Sequence, residues 1–184
     1  MGPWHIRQAA RVAWRGGVIA YPTEAVYGIG CLPWSREAVE RVLRLKRRPS
    51  GRGLILLAAK LEQIEPLVDF SGIDRGRVLA AWPGPVTWIL PATPLAPDWV
   101  QGRGRSIAVR VTAFGPARDL CVLTGPLVSS SANPAGKAPA RSASRVRAYF
   151  SAGVDYVVPG TAGGGRSPSE IRDARDGAIR RKGG

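Results

Sequence analysis

The most constraining feature of this sequence is the alternation of short apolar runs with segments of helical periodicity. Runs at 17–21, 54–58, 86–90, 107–111, 126–129, 155–158 and 177–181 have the length and content of strands. Elsewhere the apolar residues recur at helical spacing. Over 5–15, Ile6, Ala9, Ala10 and Ala13 form one face, and Gly16-Gly17 stops the helix. Over 36–47 the inward face is Val39, Val42 and Leu43; Ser35 is placed to cap it and Pro49 forbids its continuation. Short helices near 61–68 and 73–82, and helices at 116–123 and 142–150, complete the order, with 130–139 as a loop. A chain that alternates in this way builds an α/β sheet covered by helices, some of its strands antiparallel. The predicted fold is therefore α/β, a twisted mixed sheet with flanking helices, in one domain over residues 1–184.

Composition then narrows the function. No run approaches the ~20 apolar residues of a membrane-spanning helix. His5, Arg7 and Arg11 interrupt the start of the chain, which has no apolar core of a secretory signal, so a cytoplasmic protein without membrane contact is expected. Lys and Arg number 27 against 13 Asp and Glu, a net charge of +14, which favours anionic partners such as nucleotides and RNA. Only four of the 27 are lysine, and arginine suits forked recognition of phosphate and carboxylate. His5 is the sole histidine, which excludes Ser-His-Asp and Cys-His mechanisms in their usual form. Cys31 and Cys121 lie far apart with no Cys/His cluster, so no metal site is predicted and both read as core thiols. Any catalysis must rest on Arg, Lys, hydroxyls and backbone N–H groups.

Four polar segments follow apolar elements, where side chains can converge on one cleft. The first is Tyr21-Pro22-Thr23-Glu24-Ala25-Val26-Tyr27-Gly28, a turn that either presents Thr23 and Tyr27 or packs Tyr27 as core. The second is Leu45-Lys46-Arg47-Arg48-Pro49, either a solvated basic helix end or a pair, Lys46 and Arg48, aimed at one anion. The third, Ser129-Ser130-Ser131-Ala132-Asn133-Pro134, supplies donors where a phosphate could sit, or is a plain polar turn. It is not a Walker P-loop, and Gly163-Gly164-Gly165 is too weakly patterned for a Rossmann site. The fourth pairs 106–110 with 167–171. Strand alternation sends Ser106, Ala108 and Arg110 to one face, toward a groove or toward solvent.

Together these segments resemble the YrdC/TsaC family, the threonylcarbamoyl-AMP synthases, in its short single-domain bacterial form. The likeness runs from Gly17-Val18-Ile19-Ala20-Tyr21-Pro22-Thr23-Glu24 through Leu45-Lys46-Arg47-Arg48-Pro49 and Gly53-Leu54-Ile55-Leu56. It continues through Trp82-Pro83-Gly84-Pro85-Val86-Thr87, Ala108-Val109-Arg110-Val111 and Ser131-Ala132-Asn133 to Pro168-Ser169-Glu170-Ile171-Arg172-Asp173. The resemblance implies a large, positively charged concave groove. It also implies a reaction that joins L-threonine, bicarbonate or CO2, and ATP into threonylcarbamoyl-AMP and pyrophosphate. A downstream threonylcarbamoyl transferase complex would then act on an adenosine beside the tRNA anticodon. The family's Lys-x-Arg and Ser-x-Asn signature falls on Lys46, Arg48, Ser131 and Asn133. Its threonine and nucleotide contacts would fall on Thr23, Ser106, Arg110 and Ser169, with Tyr27 and Arg141 beside them. Longer members carry Asn and His after the Lys-x-Arg-Pro element, where this chain has Arg52 and Leu57, and their second domain is not expected here.

The residues suit that chemistry. ATP, bicarbonate and the threonine carboxylate are all anions, and a cationic cleft offsets their mutual repulsion. A carbamate formed from threonine and CO2 is already an anionic nucleophile, so no histidine base is required and positioning with electrostatics can carry the reaction. Lys46 and Arg48 would neutralise charge growing toward pyrophosphate, Ser131 and Asn133 would position the phosphates, and Arg110 would grip a carboxylate. Mg2+ would arrive with ATP, held by phosphates and water, since no carboxylate cage is apparent. Two rivals share the charge pattern: a non-catalytic module binding double-stranded RNA or tRNA, and a carbamoyl transferase or hydrolase with another substrate.

Overall fold

The computed structural model describes residues 2–49, 51, 53–165 and 169–183. Arg52, Ser167 and Pro168, which entered the sequence reading, lie outside the described residues. The chain opens with helix α1 (Pro3–Trp14), which starts on proline and buries Ile6, Ala9, Ala10 and Ala13. Strands β1 (Ile19–Pro22) and β2 (Tyr27–Gly30) follow as an antiparallel pair. Helix α2 (Arg36–Lys46) is capped by Ser35, whose hydroxyl accepts the Ala38 N–H at 3.3 Å, and it ends where Arg47 turns left-handed at φ 50°. After β3 (Ile55–Ala58) the expected helix at 61–68 is instead two 3-10 turns, Leu61–Gln63 and Glu65–Leu67. Pro66 denies an α-helix its donor there.

The remainder runs α3 (Arg75–Leu79), β4 (Val86–Pro91), β5 (Ser106–Val111), α4 (Gly115–Thr124), β6 (Leu127–Ser131), α5 (Ala143–Phe150), β7 (Tyr156–Val157), β8 (Glu170–Asp173) and β9 (Ile179–Arg181). Among the described residues the strands form one nine-stranded sheet in the order β7-β1-β2-β6-β3-β5-β4-β8-β9. Three neighbouring pairs are parallel, β1 with β7, β3 with β5 and β4 with β8, and the others are antiparallel. Two strands stand where none was expected. β2 carries glycine at every second position and so shows no alternation of side chains; β8 is mostly charged. β6 also runs on to Ser131, through hydroxyls that were placed in a loop.

The two faces of the sheet are covered unequally. On one, α2 and α5 enclose the larger core, which includes Val39, Val42, Ile64, Trp88, Val109 and Val146. On the other, α1 and α4 pack together over Ile19, Tyr21, Leu57 and Leu127. Leu57 thus belongs to the smaller core. Cys31 and Cys121 are buried free thiols, and burial pushes each from 9.0 up to about 12. No described helix is long and apolar enough to cross a membrane.

Candidate functional site

Neither α1 nor α4 makes substantial contact with β4, β5 or β8. That bare part of the face floors a cavity of about 1350 Å3. Strand pleating decides what the floor presents. On β5, Ile107, Val109 and Val111 point into the larger core, while Ser106, Ala108 and Arg110 line the cavity. Among the described residues seven Lys and Arg side chains and three Asp and Glu line it, so the wall attracts anions.

The end of α2 meets the end of β6 at one corner. Lys46 Nζ donates to the backbone carbonyls of Ser131 and of Asn133, the latter at 3.0 Å, and the Ala135 N–H donates to the Lys46 carbonyl at 2.9 Å. Segments 85 residues apart in sequence are thereby stitched into one wall. Lys46 is 6% exposed. Burial, reinforced by the nearby Arg48 charge, lowers its pKa from 10.5 to about 8. Arg48 donates to the Gly53 carbonyl at 2.8 Å and lines the same cavity, as do Ser129, Ser130 and Ser131.

A second corner is built around Arg110. Its Nη1 lies 3.1 Å from Glu24 Oε2, an ion pair without a directed hydrogen bond, and its Nε is buried without a partner. Thr23 lines the wall beside Glu24, its hydroxyl donating to the Val26 carbonyl at 2.7 Å. Ser106 donates to the Arg103 carbonyl at 2.8 Å. Across the floor, the Ser169 and Thr87 hydroxyls are 3.0 Å apart, and Arg181 Nη2 donates to the Ser169 carbonyl at 2.8 Å. Arg181 is exposed, yet partial desolvation and then the like charges of Arg110 and Arg48 hold its pKa below the ordinary value. Three guanidinium groups therefore share one field.

Tyr27, Asn133 and Arg141 are placed differently from the residues of these two corners. Tyr27 lines the cavity, but its side chain is buried and its hydroxyl donates to the carbonyls of Val158 at 3.0 Å and Gly160 at 2.7 Å, so it braces the 158–160 segment. Asn133 does not line the large cavity. Its amide donates to the carbonyls of Lys137 at 2.7 Å and Pro134 at 3.2 Å, and it faces a separate hollow of about 300 Å3 shared with Lys46, Arg48 and Ala135. Its Oδ1 is buried and unpartnered. Arg141 is exposed and absent from the cavity wall, because it leads into α5, which covers the opposite face. Conversely, Glu24 and Arg181, which the sequence does not single out as ligand-binding residues, stand in the wall. A carboxylate directly after Thr23 in so basic a chain was the available signal for the first.

A model of the Sua5/YciO/YrdC family, described as "Telomere recombination", matches residues 11–183. The chain belongs to this family. A threonylcarbamoyl-AMP synthase of Stutzerimonas stutzeri (strain A1501) is 50% identical over 182 residues, 97% of each chain. Among solved family structures, P. abyssi Sua5 complexed with L-threonine aligns with TM-score 0.91 at 32% identity, covering 100% of this chain and 55% of that one. E. coli YciO aligns with TM-score 0.84 at 26% identity, covering 97% of this chain and 88% of that one. The mixed sheet with its flanking helices is thus the family fold.

Proposed function

We propose that this protein is an L-threonylcarbamoyladenylate synthase, converting L-threonine, bicarbonate or CO2, and ATP into threonylcarbamoyl-AMP and pyrophosphate. The observation that carries this reading is the convergence of Lys46, Arg48, the Ser129–Ser131 end of β6 and Arg110 on one cavity. Relatives at half identity bear the synthase name, and the solved P. abyssi relative holds L-threonine. The rival RNA-binding module has no comparable support.

The geometry suggests a division of labour. Threonine's amine adds to CO2 and sheds a proton to solvent, and the resulting carbamate oxygen bonds to the α-phosphorus as the bond to the departing pyrophosphate breaks. Of the three Lys46 ammonium protons two are committed to the carbonyls of Ser131 and Asn133, which leaves one to donate to a phosphate oxygen. Arg48 adds charge beside it, and Ser131 offers a hydroxyl at the same corner. Arg110 takes the threonine carboxylate, with Thr23, Ser106 and Ser169 around it. Magnesium would enter as the ATP complex, held by phosphates and water. The product would pass to a transferase that modifies tRNA.

The test is pyrophosphate release with ATP, magnesium, bicarbonate and each amino acid in turn. Release with threonine alone supports the synthase; no release with any amino acid ends this reading. Lys46→Ala and Arg48→Ala should each lower the rate about 10²–10³-fold while the fold persists by circular dichroism.

A further inference from the structure

Glu24 stands out because it places a carboxylate in the wall of a cavity proposed to take ATP, bicarbonate and the threonine carboxylate. The structure nevertheless fixes it at several points. The Thr112 hydroxyl donates to Glu24 Oε1 at 2.7 Å, and the Phe114 N–H donates to that same hydroxyl oxygen at 3.1 Å, which orients its proton toward the carboxylate. The Glu24 carbonyl accepts the Gly165 N–H at 2.8 Å, and the Thr23 carbonyl accepts the Gly163 N–H at 2.9 Å. Those glycines lie so close that a Cβ on Gly163 would come within 3.0 Å, and one on Gly165 within 2.9 Å, of the Glu24 carbonyl oxygen. The other carboxylate oxygen, Oε2, faces Arg110 at 3.1 Å.

We infer that Glu24 is a positioning residue: locked by Thr112, its carboxylate fixes the Arg110 guanidinium so that the rest of the fork meets the substrate's carboxylate. The inference rests on the proposed synthase activity and deepens it. A guanidinium on a long stem has many rotamers, and a binding group held beforehand loses less freedom when ligand arrives. Glu24 supplies that restraint from the protein side, at the cost of weakening the local positive potential. The α-carboxylate that Arg110 grips takes no part in bond making and carries the same charge throughout, so its contact is equally strong in ground and transition states. Loss of its alignment therefore raises KM and leaves kcat in place.

The experiment is steady-state kinetics of Glu24→Gln, Thr112→Val and the double variant, with thermal melting of each. Glu24→Gln should raise KM for threonine about tenfold, with kcat and the KM for ATP little changed. Thr112→Val, isosteric and outside the cavity wall, should shift the same constant in the same direction by less. The double variant should be no worse than Glu24→Gln, because both act through one orientation. A fall in kcat with unchanged KM, accompanied by a lower melting temperature, would mark Glu24 as a structural brace and overturn the inference. So would a fall in KM for threonine, the outcome if Glu24 only repels anions. Wild-type protein that releases no pyrophosphate would instead defeat the synthase reading, and the inference with it.

Discussion

Lys46 should give the protein a pH dependence that can be isolated. Its ammonium is buried against the 131–135 turn, and burial together with Arg48 brings its pKa from 10.5 to about 8. With that midpoint about nine tenths of the molecules carry the charge at pH 7 and about one tenth at pH 9. The terminal phosphate of a non-hydrolysable ATP analogue only gains negative charge over this interval, so a fall in its affinity reports the protein. A hydrogen bond from a charged donor contributes about 1.5–3 kcal/mol, or roughly 10–150-fold in affinity. Weighted by the charged fraction, calorimetric titration should show affinity falling about five- to tenfold between pH 7 and 9. Lys46→Arg stays charged throughout and should give a flat profile even if its absolute affinity is lower. Removing Arg48, the second cause of the depression, should move the midpoint upward. Wild-type affinity that stays level to pH 9, or an alkaline loss that survives in Lys46→Arg, refutes the assignment. Stability carries the same signature. Between the two pKa values folded Lys46 has lost a proton that the unfolded chain keeps, so stability rises with pH, by about 1 kcal/mol from pH 8 to 9. Lys46→Met should lack that rise. Cys31 and Cys121 act in the opposite sense in the same interval, because their unfolded thiols are half ionised by pH 9, so the Lys46 contribution is read as the difference between the wild type and Lys46→Met.

Two further substitutions test the frame and the wall of the site. A Cβ on Gly30 would stand 1.6 Å from the Val128 carbonyl oxygen, so Gly30→Ala should force β2 from β6 and cost about 3 kcal/mol or more, read as a lower urea midpoint; an unchanged midpoint would show that the strands can part freely. Arg181→Ala should weaken binding of the ATP analogue about tenfold while the melting temperature holds, and unchanged binding would remove Arg181 from the ligand's path.

Much of the frame could be read in the sequence because its signals are local. Ser35 caps α2 through a bond three residues on, Pro66 breaks a helix in place, and the apolar spacing of α1 is repeated in what it buries. β2 could not be read in the same way. Gly28 and Gly30 sit there because β6 and Tyr21 approach too closely for ordinary side chains, a condition set by a strand about a hundred residues later. β8 is legible only once β4 is known to lie beside it. At the site, residue type does not fix where a side chain points. Tyr27 turned inward to satisfy its hydroxyl on two carbonyls, and Asn133 turned onto its own loop. The sequence gives Glu24 no evident role, because its negative charge is the opposite of what an anion site calls for.

The cavity itself follows from the same alternation that builds the core. Nine strands make a face wider than α1 and α4 can cover, and the uncovered strands must present something other than bulky apolar side chains. β5 resolves this by parity. Ile107, Val109 and Val111 go to the covered side, and Ser106, Ala108 and Arg110 to the open one. A slip of one residue in the β3–β5 register would reverse both sets, burying a guanidinium in the larger core and exposing three branched residues. The pairing of Leu57 with Arg110 therefore does two things at once: it seals Leu57 beneath the covering helices and sets the arginine at the edge where their cover ends. The guanidinium thus owes its place to hydrophobic burial on the other face of its own strand.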